Sequence, residues 1–141
     1  MLKELPAAYF AGVRVEDLST EQAITRIKHR WINQNPFNSI YFAVLAMAAE
    51  LSTGVLVMQA IRNSSKKFSM LVVENQSVFH KKAKGMVKFT CDDGKKLSAE
   101  MQECERSENN ARSFWMTSIG KDQQGKEVAT FYFKWSIKQK G

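Results

Sequence analysis

A single carboxylate, Glu50, stands inside a long apolar stretch of this sequence. Every other residue from 40 to 51 is apolar, aromatic or alanine. A helix without a polar face belongs inside a protein, and an unpaired charge buried there either finds partners or takes up a proton, because burial of the bare charge is costly. Sites of chemistry tolerate that cost, so Glu50 is a candidate catalytic group. The alternative is a structural carboxylate that accepts hydrogen bonds from Ser52, Thr53 or a partner subunit.

The residues that precede this stretch predict how a helix begins. Pro36 has no amide to donate to a sheet, and it restricts Asn35 to an extended conformation. The chain therefore leaves any preceding strand before it turns into the helix. Asn38 or Ser39 has the kind of side chain that caps the first turn.

The first turn of that helix carries a second kind of chemistry. The amides near Tyr41, Phe42 and Ala43 have no acceptor within the helix, and the positive end of the helix dipole adds to them. Such amides bind an anion or the oxygen of a reacting carbonyl group. The helix is predicted over Ser39–Leu51, and its end stays open, because Gly54 can bend or end it or the apolar residues that follow can continue it.

The composition predicts one folded domain over residues 1–141. Apolar residues make up 44% of the chain and only two residues are proline, which excludes a disordered chain. A net charge of +7 favours a polyanionic partner, such as a phosphorylated cofactor, an anionic membrane or nucleic acid, unless the lysines only keep a sheet soluble. The sequence lacks the interleaved aromatic and basic residues of a stacking platform, so we expect no nucleic-acid partner.

Cysteines and histidines do not predict a metal site. Cys91 and Cys104 lack metal-ligand spacing and are too few for a disulfide framework, which fits a reducing cytoplasm. His29 and His80 are isolated in the sequence, so core or surface roles are favoured for both. No metal ion is expected.

The helix and the N-terminus predict where in the cell the protein is found. The N-terminus has an acid near its start and no long apolar core before a cleavage site, so no secretory signal is predicted. The uninterrupted apolar run of the helix is shorter than the roughly 17 to 25 residues that a membrane span needs. The sequence therefore predicts a core helix, no membrane span and a cytoplasmic protein.

Alternation of apolar and polar residues predicts strands on both sides of the helix. Before it, Gly12–Leu18 and Ala23–Trp31 form a hairpin. Asp92–Lys95 is typical of a tight turn, while Leu97–Asn110 fits neither period and is expected to be a strand that ends in a polar loop. The other predicted strands are Phe68–Lys81 with an irregularity near Asn75-Gln76, Met86–Cys91, Ala111–Gly120 and Ala129–Lys138.

Together these elements predict an α+β fold in which an antiparallel sheet wraps around one long helix. Consecutive strands joined by short turns pair antiparallel, and the helix is the only predicted element able to cover the apolar face of the sheet. Such a sheet keeps an exposed edge. Pairing with a second copy of the chain is a natural way to cover it.

With this order of elements, most of the chain resembles the hotdog-fold acyl-CoA thioesterases, in particular the small branch of phenylacetyl-CoA thioesterase-like and uncharacterised thioesterase-like proteins. Residues 35–43 occupy the place of the family's Asn-His-x-Gly-x-x-His-Gly-Gly helix start. Glu50 falls where the family carries a helix Asp or Glu. Residues 78–85, Val-Phe-His-Lys-Lys-Ala-Lys-Gly, are similar to the Phe-x-x-x-Ala-x-Gly strand end that follows the helix in these proteins.

The resemblance implies hydrolysis of an acyl-CoA thioester in a tunnel between the subunits of a homodimer or a dimer of dimers. Glu50 would act as a general base on water or as a nucleophile, and Asn35 would orient the water or the carbonyl group. The amides of Phe42 and Ala43 would bind the oxyanion. Coenzyme A enters as part of the substrate and no other cofactor is implied. The residues implied to bind it are Tyr41, Lys81, Lys82 and Lys84.

The chain departs from the family at the start of the helix. Tyr41-Phe42-Ala43 stands where the family often has His-Gly-Gly. Backbone amides can still hold a thioester oxygen there, although Phe42 crowds the backbone more than glycine would. The alternative function is therefore a non-catalytic hotdog module that binds acyl groups or CoA, or that serves as a scaffold. For Asn35 the alternative is a role as a turn residue.

Overall fold

The computed structural model describes residues 1–106 and 110–140. A six-stranded antiparallel sheet, with the strand order β1-β2-β4-β5-β6-β3, packs against one long helix. This is the α+β hotdog arrangement that the sequence predicts. In chain order the elements are α1 (Pro6–Ala11), β1 (Arg14–Leu18), β2 (Ala23–Lys28), a 3₁₀ turn (Trp31–Asn33), α2 (Phe42–Asn63), β3 (Phe68–Phe79), β4 (Met86–Cys91), α3 (Gly94–Glu105), β5 (Ala111–Lys121) and β6 (Glu127–Gln139).

Period-two alternation places the sheet's inner face as predicted. In β6, Phe131, Phe133 and Trp135 are 3–5% exposed. In β5, Phe114 and Met116 are buried, whereas the neighbouring residues of opposite parity are only partly covered. Because successive side chains of a strand point to opposite faces, these buried positions form one apolar surface against the helices.

The central helix begins later than the sequence predicts. Its N-cap is Tyr41, with no capping hydrogen bond from a side chain. Asn38 lies in the left-handed region with φ of 59°, and Ser39 is tied to Asn35 by side-chain hydrogen bonds. The predicted cap at Asn38 or Ser39 is therefore wrong, because both residues complete a turn before the helix instead.

The helix also extends further than its predicted core. It runs through Gly54 without ending and reaches Asn63, so α2 has 22 residues. The length argument against a membrane span is wrong, because a helix of this length and composition is long enough to cross a bilayer. Ten residues of α2, from Val44 to Val57, are buried in the core of the domain, so α2 is a core helix as the sequence predicts.

A second helix, α3, replaces the predicted turn at Asp92–Lys95 and the predicted strand in Leu97–Asn110. Gly94 begins it, where a Cβ would lie 2.1 Å from the backbone oxygen of Thr20. Leu97, Met101 and Cys104 are its buried side chains. Their spacing of four and three residues is helical, and α3 packs on β5 and β6. The long helix is therefore not the only cover of the sheet. Residues 107–109 of the predicted polar loop lie outside the described residues.

Several strand ends differ from the prediction, among them the ends of the second and third strands. The second strand ends at Lys28 rather than at Trp31, which lies in the 3₁₀ turn and is 83% exposed. The third strand ends at Phe79, and its irregularity lies between Val72 and Glu74 rather than near Asn75-Gln76. Period-two patterns therefore located these strands without fixing where pairing stops.

Candidate active site

One stripe of α2 is left only partly covered. Phe42, Ala43, Ala46, Met47 and Glu50 are exposed or intermediate in burial, and at 3.6 residues per turn they lie on the same side of the helix. The stripe joins the first turn of α2 to the carboxylate. Phe42 and Glu50 are eight residues apart, which at 1.5 Å per residue is about 12 Å along the axis.

The carboxylate of Glu50 lies in a mainly apolar cleft between α2 and the N-terminal segment. The cleft has a volume of about 270 Å³. Burial raises the pKa of Glu50 above its ordinary value. Residues from two chain segments line the cleft with it: Glu4, Leu5, Pro6, Ala7 and Ala8 before and within α1, and Met47 and Leu51 of α2.

The hydroxyls nearest to Glu50 in the sequence are committed elsewhere. Ser52 Oγ donates to the oxygen of Ala49 at 2.7 Å and shares a hydrogen bond of 2.7 Å with Ser118 Oγ. Thr53 Oγ1 donates to the backbone oxygen of Glu50 at 2.8 Å and accepts from Trp135 Nε1 at 2.9 Å. Neither hydroxyl supplies the hydrogen bond that a structural carboxylate needs within its own chain. No other residue in 1–106 or 110–140 has a recorded hydrogen bond to this carboxylate.

Gly54 provides the space for the Glu50 carboxylate beside Trp135. A Cβ at Gly54 would lie 3.2 Å from Glu50 Oε1 and 3.3 Å from Trp135 Cζ2. Both distances are shorter than ordinary van der Waals contact. Sequence reasoning missed this role, because Gly54 suggests a helix end and Trp135 is 81 residues away along the chain.

The first turn of α2 leaves two of the three predicted amides without an acceptor in the described part of the chain, and the third, that of Tyr41, is hydrogen-bonded. The amide of Val44 donates to the oxygen of Tyr41 at 2.9 Å, and that of Tyr41 donates to the oxygen of Asn33 at 2.8 Å. Within the described part of the chain, no acceptor is recorded for the amides of Phe42 and Ala43. These two amides are donors that a ligand oxygen can use.

A cleft of about 330 Å³ lies beside this first turn. It brings together four of the predicted site residues: Asn35, Phe42, Lys81 and Lys82. Phe79 and His80 are among the six other residues that line it and that sequence reasoning did not assign to the site. The ring of Phe79 meets that of Phe42 edge to face, with the centroids 6.1 Å apart. Such pairing is typical of an apolar wall.

The Asn35 side chain builds the turn before α2. Its Oδ1 accepts from the amide of Phe37 at 2.9 Å, and its Nδ2 donates to Ser39 Oγ at 2.9 Å. This is the turn role that the sequence left as an alternative. It does not preclude contact with a ligand, since Asn35 also lines the first-turn cleft.

The three predicted lysines differ in their surroundings. Lys81 Nζ lies 2.6 Å from Asp122 Oδ2, and its hydrogen bond is the main cause that holds the pKa of Asp122 below its ordinary value. Lys82 Nζ lies over the ring of Phe37, 5.5 Å from its centroid. Lys84 is exposed. A phosphate would have to compete with a carboxylate for Lys81, whereas Lys82 faces no recorded acid among the described residues.

Five of the eight predicted residues line one of two separate clefts within one chain, whereas Tyr41, Ala43 and Lys84 line neither of them. Asn35, Phe42, Lys81 and Lys82 share the first-turn cleft, and Glu50 lies in the other cleft. Across residues 1–106 and 110–140, no group of three or more His, Cys, Asp or Glu side chains is arranged to hold a metal ion. The chemistry therefore consists of a desolvated carboxylate and a pair of free amides on one helix face.

Comparison of the whole chain with known proteins gives a family. Residues 2–137 match the family described as a domain of unknown function, DUF4442. The chain therefore belongs to that family. No curated protein matches the sequence at a significant level.

Solved structures share the fold. A protein of unknown function from Pseudomonas aeruginosa, described as a probable thioesterase, is 23% identical, with a TM-score of 0.83 over 98% of this chain and 90% of that chain. A protein of unknown function from Chlorobaculum tepidum is 16% identical, with a TM-score of 0.83 over 99% and 89%. A variant of a thioesterase enzyme from Staphylococcus aureus is 12% identical, with a TM-score of 0.71 over 95% and 97%. The chain therefore has the hotdog fold of thioesterase-like proteins.

Proposed function

We propose that this protein hydrolyses acyl-CoA thioesters at a site shared between two copies of the chain. The observation that carries the proposal is the presence, on one side of α2, of a partly buried carboxylate and two first-turn amides that have no hydrogen-bond partner within the described residues. Glu50 is desolvated without a recorded donor, and the amides of Phe42 and Ala43 have no recorded acceptor. A base and an oxyanion site are the two parts that hydrolysis of a thioester requires.

In the proposed reaction, the Glu50 carboxylate takes a proton from water as the water oxygen attacks the thioester carbon. The carbonyl oxygen gains negative charge and accepts hydrogen bonds from the amides of Phe42 and Ala43. Collapse of the tetrahedral intermediate breaks the carbon–sulfur bond, and the proton held by Glu50 passes to the leaving sulfur. The products are a carboxylic acid and the CoA thiol, and the Glu50 carboxylate is restored. The raised pKa of Glu50 makes it a better proton acceptor than an ordinary glutamate.

A second copy is part of the proposal because of the distance along α2. About 12 Å separates Phe42 from Glu50 on one helix, whereas a base must lie within hydrogen-bond reach of the attacking water. The edge of β3 favours a dimer, since this strand of 12 residues ends the sheet and pairs on one side only. Its Leu71 and Val73 are 63% and 44% exposed.

The test is release of free thiol from a panel of acyl-CoA esters of different chain length. Glu50→Ala should lower the rate by roughly 10²- to 10⁴-fold, which is the usual contribution of a general base. Glu103→Ala is the matched control, because it removes a helical glutamate of α3 that pairs with Arg106. Unchanged activity in Glu50→Ala would contradict the mechanism.

The second candidate function is a non-catalytic module that binds acyl groups. The Phe42 side chain, 56% exposed and in contact with Phe79, favours it, because this ring stands beside the amides where the resembling family often has glycine. For this function the same panel should give no thiol release at any chain length, while a fluorescent acyl chain still binds and Phe42→Gly changes its affinity.

A further inference from the structure

The loop before α2 presents three large apolar side chains to solvent. Trp31, Ile32 and Phe37 are 83%, 57% and 72% exposed. We call these three residues, together with Arg30, Lys82 and Lys84, the tip surface. An exposed apolar cluster of this kind marks an interaction site more often than chance exposure of single residues does.

Backbone hydrogen bonds join the two segments of the tip surface. The amide of His29 donates to the oxygen of Gly85 at 2.8 Å, and that of Ile40 donates to the oxygen of Ala83 at 2.8 Å. Lys82 Nζ stands 5.5 Å from the centroid of the Phe37 ring. The segment that carries the apolar side chains and the segment that carries the lysines therefore lie next to each other, and Lys82 lies directly over Phe37.

The loop is also fixed from within. Asn33, which is 2% exposed, donates through Nδ2 to the oxygens of Ala11 and Lys28 at 3.0 and 2.9 Å, and its Oδ1 accepts from the amide of Arg30 at 2.9 Å. A buried polar side chain with these three hydrogen bonds holds the 3₁₀ turn in place. The exposure of Trp31 and Ile32 is thus a feature of an ordered turn.

The charge of the tip surface has one sign. Residues 22–49 and 75–91 contain no Asp or Glu. The acids that reach these segments from elsewhere lie beside other side chains: Glu16 pairs with Lys88, Asp122 pairs with Lys81, and Glu127 lies 4.0 Å from His80. No ion pair is recorded for Arg30, Lys82 or Lys84 within the described residues. An anionic partner is therefore favoured.

The residue types of the tip surface indicate which class of anionic partner it binds. A second copy on a two-fold axis would bring this cationic patch against itself, which like charges disfavour. Nucleic acid binds in grooves that track its backbone, whereas a side chain that is 83% exposed projects from the surface. Trp with neighbouring lysines fits the boundary of a bilayer, where the ring lies at headgroup level and the ammonium groups meet anionic lipids.

We propose that the tip surface docks this protein on an anionic phospholipid bilayer, with Trp31, Ile32 and Phe37 inserted at the headgroup boundary. The inference does not depend on the proposed thioesterase activity. It adds a membrane-binding role for a surface that shares Lys82 with the first-turn cleft, while its three apolar side chains lie outside the residues that line that cleft.

Vesicle cosedimentation tests the proposal with the full chain. Vesicles of phosphatidylcholine with about 30% phosphatidylglycerol should bind the protein, and pure phosphatidylcholine vesicles should bind it far more weakly. Trp31→Ala combined with Phe37→Ala, and Lys82→Glu combined with Lys84→Glu, should each weaken binding about tenfold or more. Phe10→Ala, at a position 62% exposed, and Lys138→Glu are matched controls that should bind like the wild type.

A second readout follows the tryptophan itself. Emission of the wild type should shift to shorter wavelength on addition of the anionic vesicles, and Trp31→Phe should lose this shift, because Trp135 is already buried at 3% exposure and the third tryptophan, Trp115, lies in β5 outside the tip surface. Equal binding of the paired variants and the wild type to anionic vesicles would overturn the proposal. Two other results would also overturn it if the wild type does not bind anionic vesicles. A changed sedimentation mass in the Trp31/Phe37 variant would identify an interface between copies of the chain. Binding of the wild type to a random DNA oligonucleotide that is lost in the paired variants would identify a nucleic-acid surface.

Discussion

The two ends of the partly covered stripe on α2 leave opposite kinds of polar group without a partner. At Phe42 and Ala43 the unpartnered groups are donors, and they lie at the exposed start of the helix. At Glu50 the unpartnered group is an acceptor, and it lies under the N-terminal segment where burial raises its pKa. In the proposed function, each end supplies one half of the chemistry for thioester hydrolysis. The proposed function joins the donors of one copy with the carboxylate of another.

The largest expected effect on thiol release comes from removing an amide of the first turn or the Glu50 carboxylate, each in a separate variant. Phe42→Pro removes one amide at the first helical position, where proline is compatible with the backbone, and should cost roughly 10²- to 10³-fold in thiol release. Glu50→Gln should cost as much or more. Phe42→Ala, which keeps the amide, is the control for loss of the ring.

Mixing the two inactive variants then tests whether the site is shared. If each dimer has two composite sites, random pairing of equal amounts of the two variants makes about half of the dimers mixed. Each mixed dimer has one intact site of two, so about a quarter of the wild-type activity should return. Activity is measured after unfolding and refolding the mixture. No recovery, with mixed dimers present by mass, would contradict a shared site.

A smaller effect is expected where Gly54 makes space for the carboxylate. Gly54→Ala should lower kcat about tenfold, because the new methyl group displaces Glu50 or the Trp135 ring, and over-packing of this kind typically costs about 1–3 kcal/mol. Stability changes less than kcat, since alanine gains roughly 1 kcal/mol in a helix interior. Thermal unfolding and steady-state kinetics on the same samples separate the two effects; Ala46→Gly, on the same helix, is the comparison.

At the other end, Lys82→Glu should raise KM for acyl-CoA several-fold with little change in kcat, because an exposed cation contributes about 1 kcal/mol or less to an ion pair. Lys81→Glu should have a further cost, since it places a second acid against Asp122. Lys138→Glu is the control. A fall in kcat at unchanged KM for Lys82→Glu would contradict a role in substrate binding.

The smallest expected effect is on how thermal stability depends on pH. The pKa of Glu50 is higher in the folded than in the unfolded chain, so between the two values the unfolded state binds fewer protons and stability falls as pH rises. Glu50→Gln should therefore unfold at a higher temperature than the wild type at pH 7, and the difference should shrink below about pH 4, where both states are protonated. Thiol release, which needs the carboxylate, should rise with pH and reach half its maximum above the ordinary glutamate value of about 4.3.

Some of the fold followed from short-range pattern. Alternation placed β2, β5 and β6 and their inner faces, since side-chain direction in a strand reverses at each residue. The helix α3 was missed although its signal was present, because Leu97, Met101 and Cys104 recur at helical spacing while Asp92-Asp93-Gly94 suggests a hairpin. The start of α2 was misjudged because Ser39 hydrogen-bonds to Asn35 rather than to the first turn.

By itself, the sequence determined the elements of the candidate site. A lone acid in an apolar helix, two amides in its first turn and an antiparallel sheet around it follow from residue type and spacing. The tertiary structure decided what surrounds them. Thr53 is held by Trp135 and Ser52 by Ser118, and α1 covers Glu50. Contacts between distant segments decide whether a buried carboxylate has donors, and no local pattern encodes those contacts.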